Sequence, residues 1–289
     1  IITYLNEIRN DLYFHIPLTG YCKALDFPNV AQYPIDLPSY PNAMRGHFDY
    51  NLWKNIIDWK NKDIDLIYSH LPEHTPQVVN LIANTTDIGV VPVIGYTHWS
   101  EIKEITNYDK TYLLNNINGL LEMDYCGINT EAQKKLLLDN VKDIYSDKTL
   151  NKLDEILTPT YLGVEKFNIT ERINKKSEKI IVFNHRTQAY KDFPFFMKTM
   201  DKLYSKRQDF KVWIPLLEKP NREYVITDKF DKKGYYKKLN DSRVCFCPKQ
   251  KYGGWSVSGT DSLMSGCPVI FYNDSYYKEL AGESGLYYD

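Results

Sequence analysis

The sequence has no Cys-x-x-Cys pair: its five cysteines, Cys22, Cys126, Cys245, Cys247 and Cys267, are odd in number and, apart from Cys245 and Cys247, widely spaced. Such spacing suggests neither a zinc site nor a disulfide framework, and reduced thiols in a cytoplasmic setting are expected. Gly-x-Gly-x-x-Gly, Gly-x4-Gly-Lys-Ser/Thr, His-Glu-x-x-His and Gly-x-Ser-x-Gly are all missing. The commoner dinucleotide, P-loop, metalloprotease and serine-hydrolase readings therefore lack their anchors. No apolar run approaches the roughly 20 residues that a membrane-spanning helix needs. With no secretory signal evident, the Asn-x-Ser/Thr triplets at Asn84, Asn168, Asn240 and Asn273 read as chance. An excess of one charge is lacking too: 36 Lys and Arg stand against 37 Asp and Glu, a net charge of -1. The whole chain thus carries no general footprint for nucleic acid or membrane, although a local basic groove stays open.

What is present is an ordinary globular composition over 289 residues, 43% hydrophobic and 25% charged, enough for two domains or one large α/β domain. The chain is rich in Lys, Asn, Ile and Tyr and poor in Ala, as the codons of an AT-rich genome such as a phage or a low-GC bacterium would give. Apolar runs of strand length occur at "IITYL", "DIDLIYSH" (63–70) and "VVPVIGYTH" (90–98), the last two ending in His. Between those two, "TPQVVNLIANTTDIG" reads as a helix closed by Gly89, and "TEAQKKLLLDNVKDI" as a helix capped by Thr130. Strand, helix, strand at this spacing predicts βαβ units and a parallel sheet.

The periodicity lapses between Pro159 and Lys176 and then restarts. We place a domain boundary there, giving 1–165 and 166–289. The second half alternates again: strands in "KIIVFNHR", "FKVWIPL", "RVCFCP" and "PVIFY", helices in "FPFFMKTMDKLYSKR", "KKGYYKKLNDS" and "DSLMSG". Ligands of open α/β sheets bind past the carboxyl ends of strands, which is where His70, His98, Arg186 and the turn 253–261 fall.

Three segments carry candidate chemistry. In "FNHRTQAYKDF", Arg186 and Lys191 share one strand-to-helix loop, a guanidinium fork and a point charge suited to a diphosphate; solvated surface charge is the competing reading. In "GGWSVSGTDSLMSG", a helix beginning near Gly259–Thr260 would aim free amides at an anion and set Asp261 in its first turn, within reach of a vicinal diol. An acidic residue near a helix N-terminus also needs no ligand at all. In "GYTHWSE", His98 could bond a sugar hydroxyl or carry a proton, with Trp99 beside it. The tripeptide Asp63-Ile64-Asp65 precedes its strand and lies on the wrong edge of the sheet for a metal-bound donor, so no metal site is expected.

In order along the chain, these pieces resemble the retaining glycosyltransferases of GT-B architecture, glycosyl transferases group 1 among them. "DLIYSHLPEH…VVPVIGYTHWSE" resembles that group's strand-His, helix, strand-His passage, and "PTYLGVEKF" its interdomain segment, with Gly163 and Phe167. "FNHRTQAYKDF" is similar to its Gly-Arg-x4-Lys-Gly element and "GGWSVSGTDSLMSGCPVI" to its Glu-x-Phe-Gly-x4-Glu-Ala-x3-Gly-x-Pro-Val element. The resemblance implies two Rossmann-like α/β domains facing each other across a cleft, the N-terminal one on the acceptor side and the C-terminal one binding a nucleotide sugar. Arg186 and Lys191 would hold the donor diphosphate with Gly254 and the amides of Ser256, Val257 and Ser258. Asp261 would take the ribose and His98 would stand near the donor sugar. His70, Trp99 and Gly20 fall to the acceptor side.

The implied activity is hexosyl or pentosyl transfer from a nucleoside-diphosphate sugar, with a UDP-sugar expected, and with retention, no metal and no further cofactor. The acceptor would be a saccharide or cell-surface glycan, or a hydroxymethylated pyrimidine in phage DNA, since phage enzymes acting on such DNA share the Arg-x4-Lys element. A noncatalytic nucleotide-sugar-binding module and an epimerase of the same fold are the alternatives. Departures from the pattern are Gly253 in place of the first glutamate, Asp261 in place of the second, and His185 and Asp192 in place of two glycines. The chain also stops at Asp289, before the group's C-terminal helices.

Overall fold

A computed structural model describes residues 5, 7–9, 11–19, 26–35, 63–97, 107–163, 179–220, 222–251 and 253–289. The chain divides into two compact units, Ile1–Tyr96 with Lys110–Tyr125, and Thr97–Asp109 with Cys126–Asp289. The expected boundary at 165/166 falls among residues 164–178, outside the described residues.

In the first unit β1 (Phe14–Thr19) and β2 (Val30–Ile35) pair in parallel. β3 (Ile67–Ser69) leads through a 3-10 turn and α1 (Thr75–Thr85) to the parallel β4 (Val93–Thr97), the expected βαβ unit. Leu5, Glu7 and Ile8 are helical, with the Arg9 amide donating to the Leu5 carbonyl at 2.8 Å; the rest of "IITYL", where a strand is expected, lies outside the described residues. One expectation fails here. α1 ends at Thr85 and not at Gly89, because the Thr86 hydroxyl turns back on the Ile82 carbonyl at 2.8 Å and accepts the Ile88 amide. The helix α2 (Asn107–Leu120) follows.

The second unit contains β5 (Tyr125–Ile128), parallel to β6 (Leu157–Pro159), with α3 (Glu131–Val141) and α4 (Asp147–Ile156) between them. Thr130 caps α3 as expected, its hydroxyl accepting the Gln133 amide at 3.0 Å. The remainder alternates strand and helix except that β9 follows β8 directly: β7 (Ile180–Val182), α5 (Phe193–Tyr204), β8 (Lys211–Trp213), β9 (Val225–Ile226), α6 (Lys232–Asp241), β10 (Val244–Cys247), α7 (Val257–Met264), β11 (Val269–Tyr272), α8 (Ser275–Ala281) and β12 (Leu286–Tyr288). These strands form a six-stranded sheet, order β12-β11-β10-β7-β8-β9, parallel at every described pairing.

The strands read as nearly continuous apolar runs because both faces of the sheet are covered. Period-two alternation sorts the side chains. Val182, Trp213, Cys245, Cys247 and Phe271 enter one core with Leu239 of α6 and Tyr276 and Tyr277 of α8. Phe183, Val212, Ile214 and Phe246 enter the other with Phe196, Met197 and Met200 of α5. Strand order reverses between β7 and β10. At such a switch point the loops leaving the two strands part to opposite faces and open a crevice at their carboxyl ends.

Candidate functional site

The loop leaving β7 starts with three buried residues, Phe183, Asn184 and His185, and then Arg186, which is exposed. Asn184 is pinned from several sides. Its Nδ2 donates to the Tyr235 hydroxyl at 2.8 Å and the Ser258 carbonyl at 3.1 Å, and its Oδ1 accepts from the Cys245 thiol at 3.3 Å. Ser258 Oγ returns a bond to the Asn184 carbonyl at 2.8 Å. The first turn of α7 is thereby tied to the end of β7. His185 lies beneath, Nε2 3.3 Å from the Cys247 thiol. Burial, and secondarily the nearby Lys191 charge, push its pKa down to about 3, so the ring stays neutral near neutral pH.

Beyond β10 the chain passes Pro248 and Gln250, both buried, into the Gly253-Gly254 turn. A Cβ at Gly254 would stand 2.3 Å from Gln133 Cδ, and the Gly254 carbonyl accepts from the Thr130 hydroxyl at 3.4 Å. A side chain there would have to push the Gln133 amide aside. Ser256 then caps α7, its Oγ accepting the Gly259 amide at 3.1 Å.

This start corrects the expected one near Gly259–Thr260. The amides open in the first turn are those of Val257 and Ser258, which make no hydrogen bond among the described residues. Asp261 moves to the second turn, 8% exposed. There it accepts hydrogen bonds from the Tyr236 hydroxyl at 3.1 Å and the Tyr235 hydroxyl at 3.4 Å. Burial raises the Asp261 pKa, while the two hydroxyls and Lys232 act against the shift.

Asn184, Tyr235, Ser258 and Asp261 line a cavity of about 710 Å³ with Trp213, Leu216 and Phe230 as its apolar surface and Glu218, Lys229 and Lys232 among its charges. Such a cavity suits a ligand with one flat apolar part and several hydroxyls. Lys191 ends a 3-10 turn, Ala189–Lys191, and donates to Gln250 Oε1. The turn is fixed by the Lys251 amide donating to the Tyr190 carbonyl at 3.0 Å. Arg186 makes no hydrogen bond or ion pair among the described residues and is not in the cavity lining.

Of the sequence-predicted residues, the structure brings Ser258 and Asp261 into one cavity with Asn184, and sets Gly254, Ser256 and Val257 in the turn leading to it. His70 is exposed and stacks on Tyr96 with ring centroids 5.4 Å apart. His98, Trp99, Gly20 and Phe167 lie outside the described residues. Sequence reasoning missed Asn184, Tyr235, Tyr236 and Gln250. The pair Tyr235-Tyr236 on a lysine-rich helix carried a signal, since two adjacent rings on a charged helix need something to face. Among the described residues no group of three or more His, Cys, Asp or Glu could hold a metal ion.

No protein-family model and no curated protein matches the chain. Solved structures do. One is TarM of S. aureus, in complex with fondaparinux, α-GlcNAc-glycerol and UDP (TM-score 0.59, 16% identity, 78% of this chain and 45% of that one). Others are the E. coli trehalose-6-phosphate protein bound with UDP-2-fluoro glucose (0.64, 13%, 100% and 83%) and a UDP-forming trehalose-phosphate synthase from Burkholderia vietnamiensis (0.55, 9%, 83% and 65%). The chain spans less than half the length of the TarM structures it matches. The fold is that of the GT-B glycosyltransferases.

Proposed function

We propose that the chain is a glycosyltransferase, hexosyl or pentosyl, that moves a sugar from a nucleoside-diphosphate donor, a UDP-sugar, to a hydroxyl acceptor with retention and without a metal. The observation that carries this reading is the cavity walled by Asn184, Ser258 and Asp261 at the carboxyl edge of a GT-B sheet. The Asp261 carboxylate has about four acceptor positions; Tyr235 and Tyr236 use two, and the others suit the cis-diol of a ribose. The Val257 and Ser258 amides, the Lys191 ammonium and the Arg186 guanidinium supply donors for a diphosphate, and their charge counts most as the leaving diphosphate gains its own. His98 is assigned to the donor sugar, and His70, Trp99 and Gly20 to the acceptor side. A saccharide acceptor is favoured over a hydroxymethylated pyrimidine in DNA by the saccharide ligands of the TarM structure. The cytoplasm, where nucleotide sugars are made, is the proposed location.

Thermal melting against UDP-, GDP-, ADP- and CMP-sugars tests the donor. A ligand at 100 times its dissociation constant stabilises by about 2.7 kcal/mol. A selective shift in the wild type that is absent from Arg186→Ala, with that variant's unliganded melting unchanged, is expected. No shift with any donor overturns the reading. One observation favours a binding module without turnover: a Cβ at Gly253 would stand 2.8 Å from the Tyr276 hydroxyl, so no side chain occupies the position where the group has its sugar-binding glutamate. Donor binding with neither transfer nor hydrolysis would decide for that module; donor isomerisation without an acceptor would decide for an epimerase.

A further inference from the structure

Asn184, 5% exposed, decides which way a hydroxyl in the cavity wall points. Its Nδ2 faces the Ser258 carbonyl at 3.1 Å, a group that can only accept, and its Oδ1 receives the Cys245 thiol at 3.3 Å. The amide therefore has one orientation. Nδ2 also donates to the Tyr235 hydroxyl at 2.8 Å, which makes that oxygen an acceptor. Tyr235 keeps a single proton to give, and Asp261 Oδ2, 3.4 Å away, is the acceptor that takes it. Tyr236 donates to the other carboxylate oxygen, Oδ1, at 3.1 Å.

Burial pushes the Tyr235 hydroxyl up from its ordinary pKa, so the proton it gives to Asp261 stays in place. A carboxylate turns broadly about its terminal torsion, and nothing in the second turn of a helix fixes its plane. Here a hydroxyl from α6 holds each of the two oxygens, and the plane is set by two directed bonds. The lone pairs that remain are the acceptors Asp261 offers to the cavity it lines. A vicinal diol presents two donors at a fixed spacing, so it benefits from a carboxylate whose plane is already set; an isolated hydroxyl does not.

We propose that Asn184 is a positioning residue that, by directing the Tyr235 proton onto Asp261, makes the site select ribonucleotides over 2′-deoxyribonucleotides. The inference rests on the donor-site reading above. It adds the residues that set the plane of the carboxylate, and a selectivity that depends on them.

The test titrates the full chain with UDP, GDP and ADP and with their 2′-deoxy counterparts, by calorimetry or NMR, and reads the ratio of the two dissociation constants in each pair. A packing defect weakens both members of a pair alike; the ratio moves only when the carboxylate loses its alignment on the diol. The wild type should favour the ribonucleotide about tenfold or more. Tyr235→Phe keeps the ring in the cavity wall and removes the proton, and should lower the ratio severalfold, the loss falling on the ribonucleotide. Asn184→Asp is nearly isosteric but takes the Tyr235 proton for itself, and should lower the ratio at least as far. Tyr235→Phe covers the case in which Asn184→Asp does not fold. A ratio unmoved in Tyr235→Phe, while Asp261→Ala brings it to one, would overturn the inference and leave the donor-site reading standing. Ribo- and 2′-deoxyribonucleotide weakening together would make Asn184 and Tyr235 packing residues and overturn it as well. A wild type that binds both members of each pair equally removes the ribose from Asp261 and the inference with it, while the diphosphate site stands. If the wild type binds none of these nucleotides, the donor-site reading itself fails.

Discussion

His185 gives the prediction that the structure quantifies best. The ring is 4% exposed, packed edge-on against Phe183 and bonded to the Cys247 thiol, so protonation inside the sheet would bury a charge with no counter-ion among the described residues and with the Lys191 ammonium nearby. Its pKa falls from 6.5 to about 3. The unfolded chain takes up the proton below pH 6.5 and the folded chain does not until about pH 3. Stability is therefore complete above pH 6.5 and declines as pH falls through that window, at about 1.4 kcal/mol per unit. Between pH 6.5 and 4.5 the histidine accounts for roughly 2 kcal/mol of loss, a few degrees in melting temperature for a chain of this size. His185→Gln carries its own cost at every pH but has no proton to take up. Melting curves of the two proteins, followed by tryptophan fluorescence because Trp213 is buried in the same sheet, should therefore converge toward acid. Carboxylate titrations cancel in the difference. Parallel curves from pH 7 to 4.5 would refute the account of a ring held neutral by burial.

Two further perturbations address the turn. Gly254→Ala places a Cβ against Gln133 and should destabilise by about 1–3 kcal/mol; Gln133→Ala in the same chain should recover part of that loss, and additive effects in a denaturant double-mutant cycle would disprove the contact. Ser256→Ala removes the acceptor for the Gly259 amide and should cost about 1 kcal/mol, while Ser256→Gly should cost a few tenths; equal costs would place the helix start elsewhere.

The parallel alternation was legible because most strands of the second unit are short, apolar and followed by a helix; β9, two residues that follow β8 with no helix between, was not. The Thr130 cap was legible too, because Thr130 directly precedes Glu131 at the head of a charged helical run. The start of α7 was not legible, for a definable reason. "SVSGT" offers Ser256, Ser258 and Thr260, all good caps by residue type. Asn184, 74 positions earlier, makes the choice: it takes both the carbonyl and the hydroxyl of Ser258, leaving Ser256 free to cap. Local propensity was degenerate, and a tertiary contact resolved it. Gln250 was illegible for the opposite reason. Between two lysines it reads as one more polar loop residue, and only the fold shows its amide buried against Tyr277.

Gly253 and Asp261 together bear on what the site selects. The group's pattern has a glutamate at each place. At 261 the shorter Asp works in a helix that starts early: the second turn carries the carboxylate into the wall of the cavity, and Tyr235 and Tyr236 fix it there. At 253 no such adjustment is available. The Tyr276 hydroxyl and ring lie 2.8 to 3.1 Å from where a Cβ would be, and Tyr276 is itself wedged in the core, 4.2 Å between ring centroids from Tyr277. Gly253→Glu cannot restore the pattern without displacing a buried tyrosine. On the donor-site reading proposed above, ribose binding and donor-sugar recognition would be separable: the first would keep a carboxylate at Asp261 by another route, and the second would use groups other than residue 253.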